Sequence, residues 1–194
     1  IIAYMKKWIP PVFLFVLLFG LVLKAQEPFT PIELPSVSNY AMDPKKSILT
    51  NAETSNRHST LMAALRASDL DKVLGYNGQF TVFAPSDMAF KKLSKITKER
   101  LMDPKNKKEL KAILSCHIVA AKLSAATILK SMCRGGGKAS FTTIQGEKIT
   151  ATMNGIDIIL KDKHGNKAKI VLADANQSNG VIHEVDSVFL PLVA

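Results

Sequence analysis

The chain predicts an α+β domain with its helices mostly in the first half and its strands in the second. Three observations lead there. Apolar residues recur at helical spacing early on, as Leu61, Leu65, Val73 and Leu74, then as Leu110, Ile113 and Leu114. From Ile149 the period falls to two: Ile149, Ala151 and Met153 lead into Asn154-Gly155, and Ile156, Ile158 and Leu160 lead out, a two-residue hairpin signal. The third is Phe80 to Phe90, where Phe80 to Phe83 read as a short strand. Pro85 ends it, because proline cannot donate to a ladder and biases Ala84 towards extended geometry. Ser86 then caps a helix, with Asp87 at the positive end of its dipole and Met88, Phe90 and Leu93 as apolar positions. Helices followed by strands in one short chain define the class.

Length and charge narrow the function. The 194 residues hold one domain and a leader, and 47% apolar content is enough for a core. The formal net charge is +10, and with Lys6, Lys7 and Lys24 set aside in the leader the remainder carries 23 basic against 16 acidic residues. That balance suits anionic lipid, acidic polysaccharide or nucleic acid; the plainer reading is lysines that keep a secreted domain in solution. Lysines 91, 92, 95, 98, 105, 107, 108 and 111 cluster, but without the interleaved aromatic residues of a nucleic-acid groove, so nucleic acid is not expected.

Taken in order, Met5-Lys6-Lys7 and the apolar run from Trp8 to Leu23, interrupted by Pro10 and Pro11, read as a secretory signal peptide. Cleavage is expected after Ala25, giving a leader over 1–25 and no integral span afterwards; Leu23, large for its position, leaves an uncleaved anchor as the alternative. Residues 26–39, with Pro28, Pro31 and Pro35, form an extended linker, and the domain covers 40–194. Ser59 caps a helix whose buried side runs from Leu61 to Leu74, and Asn77-Gly78 turns the chain into the Phe80 strand. Thr97 to Met102 is a short helix, Asp103-Pro104 opens the next, and Ser124 opens another that stops at Arg134-Gly135-Gly136-Gly137. His164-Gly165-Asn166 turns into Ala168, Ile170 and Leu172, and Val181 to Leu190 is the last strand.

No reaction centre is expected. His58, His117, His164 and His183 are too dispersed for metal-ligand spacing, and no cofactor motif is present: the Gly135–Gly137 run lacks the Lys-Ser/Thr of a phosphate loop. Ser86 and Ser178 lie outside any G-x-S-x-G elbow, and Glu184 with Asp186 is a pair of carboxylates without further support as an acid and base. Cys116 and Cys133 are either a disulfide, worth about 3 kcal/mol on the chain-entropy picture, or two buried thiols.

Residues 81–90, TVFAPSDMAF, resemble the first signature motif of the fasciclin domain, close to T-V-F-A-P-T-N-x-A-F, with Ser86-Asp87 where Thr-Asn is common. Asn179 to Pro191 is similar to the closing motif N-G-V-I-H-x-I-D-x-V-L-x-P, and His117-Ile118-Val119 to the central strand. Met42-Asp43-Pro44 resembles the turn before the first helix. The landmarks come in family order over roughly residues 40 to 192. The resemblance implies a wedge-like β-sandwich with helices packed at one side. It marks Thr81, Phe83, Pro85, Ser86, Asp87, Phe90, His117, Asp174, Asn179, Gly180, His183 and Asp186 as motif positions, structural or binding. His117 and His183 are read as buried rings satisfied by backbone groups.

The resemblance also implies adhesion. Two residue pairs linked to integrin binding in animal members are half-present: Asp174 is followed by Ala175 instead of Ile, and His117 is preceded by Cys116 instead of Tyr. The expected function is an exported, non-enzymatic module at a cell surface, in the periplasm or in a matrix. Its expected partner is a surface protein, an anionic glycan or a lipid surface. The alternative is a binding module for a small apolar or lipid ligand held between helices and strands.

Overall fold

The computed structural model describes residues 42–76 and 78–190. The expected leader and linker, Asn77 of the expected turn and Pro191 lie outside the described residues. The chain runs α1 (Ile48–Thr54), α2 (Ser59–Ala67), α3 (Leu70–Gly75), β1 (Phe80–Pro85), α4 (Asp87–Lys91), α5 (Lys95–Met102) and a 3-10 turn (Pro104–Asn106). It continues with α6 (Lys107–Ser115), β2 (Ile118–Val119), α7 (Ala125–Arg134), β3 (Lys138–Thr142), β4 (Lys148–Asn154), β5 (Asp157–Lys161), β6 (Lys167–Gln177) and β7 (Gly180–Val185).

Serines open four of these helices. Ser47, Ser86, Ser94 and Ser124 sit in extended geometry and each side chain accepts from the amide three residues on, satisfying one of the orphan N–H groups of the first turn. Asp103 caps the 3-10 turn by accepting from the Lys105 amide, two residues on, with Pro104 placed where its missing N–H is harmless. Gly136 (φ 62°) and Gly137 (φ 89°) end α7 in the left-handed region, and the Gly137 amide bonds back to Met132.

The strands form one mixed sheet in the order β2-β1-β7-β6-β5-β4-β3. β1 and β7 run parallel, from Phe80 beside Gly180 to Pro85 beside Val185, and the other pairings are antiparallel. A bridge between Val119, at one edge, and Thr143, just past the other, curls the sheet into a near-barrel. β6 belongs to both halves: its start pairs with β5, its remainder with β7, and the register shifts between Ile170 and Ala175 bend it. The fold is α+β, as predicted.

Two cores flank β1 and β7. Val82, Ala84 and Ile182 pack against Leu61, Leu65, Leu74, Leu110 and Leu114 of the helices. On the opposite face Phe83 and Val185 join Ile149, Ala151, Leu160, Ile128 and Phe189 inside the near-barrel. Residues of both strands are buried throughout, the pattern of parallel strands covered on both sides.

Several local expectations need correction. The helix expected from Ser59 to Leu74 is two: Ser68 bonds back to the Ala64 and Leu65 carbonyls, and Asp69 adopts φ 57°, which turns the chain into α3. The β4–β5 loop is Gly155-Ile156, one residue later than read, because Asn154 pairs with Asp157 and Gly155 takes the positive φ of a type II′ turn. Ile156 is 96% exposed at its tip. Met88, Leu129, Met153 and Leu172 are also exposed. β3 was not anticipated, and β7 stops at Val185 so that Phe189 can fold back under the sheet.

Gly180 fixes the β1–β7 register. A Cβ there would sit 2.0 Å from the Phe80 carbonyl oxygen and 2.9 Å from Ile48 Cδ1. Gly180→Ala is expected to lower unfolding stability by about 2 kcal/mol or more, measured by urea titration. Gly75→Ala, with nothing within 4 Å of the added carbon, is expected to leave it unchanged or raise it. Equal effects would mean that β1 and β7 do not approach in this way.

Candidate functional site

Most motif side chains converge on the β1–β7 pair and turn inward, whereas Asp174, on β6, is exposed. Thr81 Oγ1 donates to the Ala121 carbonyl at 2.6 Å and accepts from the Leu123 amide at 2.8 Å, pinning the loop after β2 to β1. Phe83 is fully buried with its ring stacked on His183 at 5.7 Å, while Phe90 enters the helix-side core. Asn179 accepts from the Ile48 amide and donates to the Leu74 carbonyl, tying α1 and α3 to the start of β7.

Asp87 lies where its own helix begins, yet its carboxylate caps another. Oδ1 accepts from the Thr60 amide at 2.8 Å, and Oδ2 from the Ser59 amide and hydroxyl. Thus Ser59 does not cap α2; His58 precedes it without a side-chain cap bond, and Asp87 supplies the acceptor across 28 residues. Burial alone would raise the Asp87 pKa, but the Thr60 and Ser59 donors hold it below the usual carboxylate range.

Both motif histidines have both ring nitrogens engaged. His117 Nε2 accepts from the Phe189 amide at 3.1 Å, so its Nδ1 carries the proton and donates to the Ile113 carbonyl at 2.9 Å. His183 Nδ1 accepts from the Asp174 amide at 3.2 Å, and its Nε2 donates to the Leu123 carbonyl at 2.7 Å. Burial depresses both pKa values, His117 to about 4, so the neutral tautomers are held. Accepting a proton would break the bond from Phe189 or from Asp174.

Asp174 adopts φ 60° and its Oδ1 accepts from the Ala125 amide at 2.7 Å, at the start of α7. Cys116 and Cys133 are free thiols, the former half-buried beside Glu147 and the latter exposed on α7, so neither the disulfide nor the pair of buried thiols is present. Burial and then Glu147 push the Cys116 thiol up to about 12.

The carboxylates Glu184 and Asp186 do not converge. Glu184 faces Arg57 and His58, whereas Asp186 Oδ1 accepts from the Lys169 amide at 2.8 Å and its Oδ2 pairs with Lys92 at 3.5 Å. Sequence reasoning did not find the Arg57-His58-Glu184 cluster, because Glu184 lies 127 positions from Arg57, the neighbour of His58. His58 Nε2 and Glu184 Oε2 are 3.8 Å apart, both buried and without a hydrogen-bond partner. Burial, then Arg57, drives His58 down to about 4, and burial raises Glu184 against the pull of Arg57.

With most motif side chains facing inward, a larger polar surface lies elsewhere. The outer face of β3 to β6 forms an open groove of about 820 Å³ lined by lysines, threonines and Asn154. Its signal in the sequence was the placement of Lys161, Lys167 and Lys169 at alternate, outward strand positions.

Comparison with known proteins follows the same geometry. The family model described as the Fasciclin domain matches residues 56–191. Protein sll1483 of Synechocystis sp. is 40% identical over 159 residues, covering 80% of this chain and 79% of that protein. The cell surface glycolipoprotein MPB83 of Mycobacterium bovis is 30% identical over 171 residues, covering 86% and 68%. A FAS1 domain pair from the insect cell adhesion molecule Fasciclin I superposes with a TM-score of 0.68 at 19% identity, over 76% of this chain and 52% of its own, a likeness of fold.

Two measurements check the geometry. In the unfolded chain histidines titrate near 6.5, whereas His58 and His117 stay neutral until about pH 4. The unfolded state therefore binds the extra protons between those values, and stability held above pH 6.5 is lost as pH falls towards 4, on the order of 3 kcal/mol per histidine. Glu184, raised, acts in the opposite sense and offsets part of the loss. Unfolding free energies measured between pH 7 and pH 4 are expected to fall in this way, and less steeply for His117→Gln; a flat profile would contradict neutral burial. For the thiols, iodoacetamide is expected to label Cys133 promptly and Cys116 only on unfolding, read by mass spectrometry. Equal native rates would contradict the half-buried site.

Proposed function

Because the chain belongs to the fasciclin domain family, we propose that it is an exported, non-enzymatic adhesion module acting at a cell surface or in a matrix. The family is adhesion-related, and its likeness to Fasciclin I, a cell adhesion molecule, and to MPB83, a cell surface glycolipoprotein, supports that role and an external location. What supports it most is the use of the motif side chains. Thr81, Ser86, Asp87, His117, Asp174, Asn179 and His183 each bond to backbone groups and hold the two cores in place. Contact with a partner then falls to the exposed strand faces and loops.

The small-ligand alternative finds less support. The pocket between α6 and the β3–β4 and β5–β6 loops, beside Cys116 and Phe189, holds about 60 Å³, against the roughly 300 Å³ and more of ligand pockets; the larger hollow of about 400 Å³ over Leu70, Val73 and Ile144 is open to solvent and edged by Lys108 and Lys111. An enzyme reading would centre on Glu184, the buried carboxylate with an unpartnered oxygen. Beads coated with the full chain are expected to retain cells or extracted envelope polymers above uncoated beads, without turnover of ester, peptide or glycoside substrates. Turnover that disappears in Glu184→Gln would replace adhesion with catalysis.

A further inference from the structure

Resting on the adhesion reading and giving it a site, we propose that the outer face of β3–β4–β5–β6 docks a linear acidic polysaccharide. Strand register sets out the surface. Lys138 stands opposite Thr152, Thr152 opposite Ile159, and Ile159 opposite Lys169, one row across four strands. The adjacent row runs Ser140, Thr150, Lys161 and Lys167. The groove thus has Lys138 on its β3 side, Lys161, Lys167 and Lys169 towards β6, and the Thr150 and Thr152 hydroxyls with Ile159 between them.

The lysines outnumber the carboxylates, and three of the five have no ion-pair partner among the described residues. Among the described residues Lys163 pairs with Glu147 and Lys169 with Asp157, whereas Lys138, Lys161 and Lys167 are exposed and have no carboxylate within ion-pairing distance. Lys161 and Lys167 stand directly opposite each other on neighbouring strands. Like charges in that relation destabilise a sheet, so the fold tolerates a local repulsion that an anion would relieve. The groove lining carries five lysines against Asp162 and Asp186.

The occupant follows from what accompanies the charge. The lining has no aromatic ring and no arginine, the groups on which single-stranded nucleic acid stacks and that read base edges. A bilayer surface takes up a whole apolar face, whereas the exposed large apolar side chains at the hairpin end are Ile156 at its tip and Met153 beside it. An open trough pairing fixed cations with Thr150, Thr152 and Asn154 fits a flexible polymer that alternates carboxylate or sulfate with hydroxyl groups.

The test uses the full chain and polygalacturonate as probe, at physiological ionic strength, where screening acts over about 8 Å. Lys138→Glu/Lys161→Glu/Lys167→Glu is expected to weaken binding about tenfold or more through loss of complementary charge. Lys105→Glu/Lys108→Glu/Lys111→Glu, an equal charge change on the helical side, is expected to leave most of it. Lys161→Glu alone turns a like-charge pair into an opposite one and is expected to raise the melting temperature while weakening binding, so that lost affinity is not lost folding. Equal losses in the two triple variants would overturn the site. Capture by phosphatidylglycerol vesicles without polygalacturonate binding, or duplex DNA bound as tightly, would overturn the occupant. Coated beads that still retain cells with the first triple variant would remove this site and leave adhesion standing. Polygalacturonate bound through these lysines by a chain whose beads retain no cells would support the site and remove the adhesion reading.

Discussion

β1 and β7 lie parallel in the middle of the molecule, with helices against one face and the near-barrel interior against the other. Their backbone groups are satisfied by each other and by β2 and β6, so the residues between can be apolar on both faces. Parallel neighbours require a long crossover, and here α4 to β6 all lie between Pro85 and Gly180. Closing the β1–β7 pair therefore joins segments far apart in sequence, and each core forms against a surface that the other helps to hold. Gly180 permits the approach because it lacks a side chain where the Phe80 carbonyl passes.

Polar motif residues complete this arrangement by replacing missing backbone partners. The loop from Ala120 to Leu123 has no strand neighbour, and Thr81 with His183 supplies its bonds. Phe189 leaves the sheet, and His117 accepts its amide while the two rings pack at 4.7 Å. Asp87 and Asp174 cap helices far away in sequence. His117, His183 and Asp87 thus act as fixed hydrogen-bonding groups, because burial and their partners select one protonation state.

The outer sheet follows different rules. Small residues such as Ala139, Ala151 and Ala168 face inward, and the outward positions between them are free to carry lysine and threonine. Curling of the sheet then gathers residues of four strands into one groove. Its charge is local in space but spread over thirty-two positions from Lys138 to Lys169, and so differs from the conspicuous run of lysines between 91 and 111.

Local chemistry was legible in the chain itself. Serine caps, the Asp103-Pro104 start, the glycine stop after α7 and the switch from helical to alternating period act over a few residues, so adjacent side chains decide them. The motif around Pro85 and the closing strand also announced the class and the family. Tertiary contact decided the rest. It decided that α2 stops at Ser68, that Asp87 caps a helix 28 residues back, and that Cys116 faces Glu147 instead of Cys133. It also brought Glu184 to His58 and aligned Lys161 with Lys167. Those outcomes depend on strand register and on the distance between segments in space, neither of which a stretch of sequence fixes until the parallel pair closes.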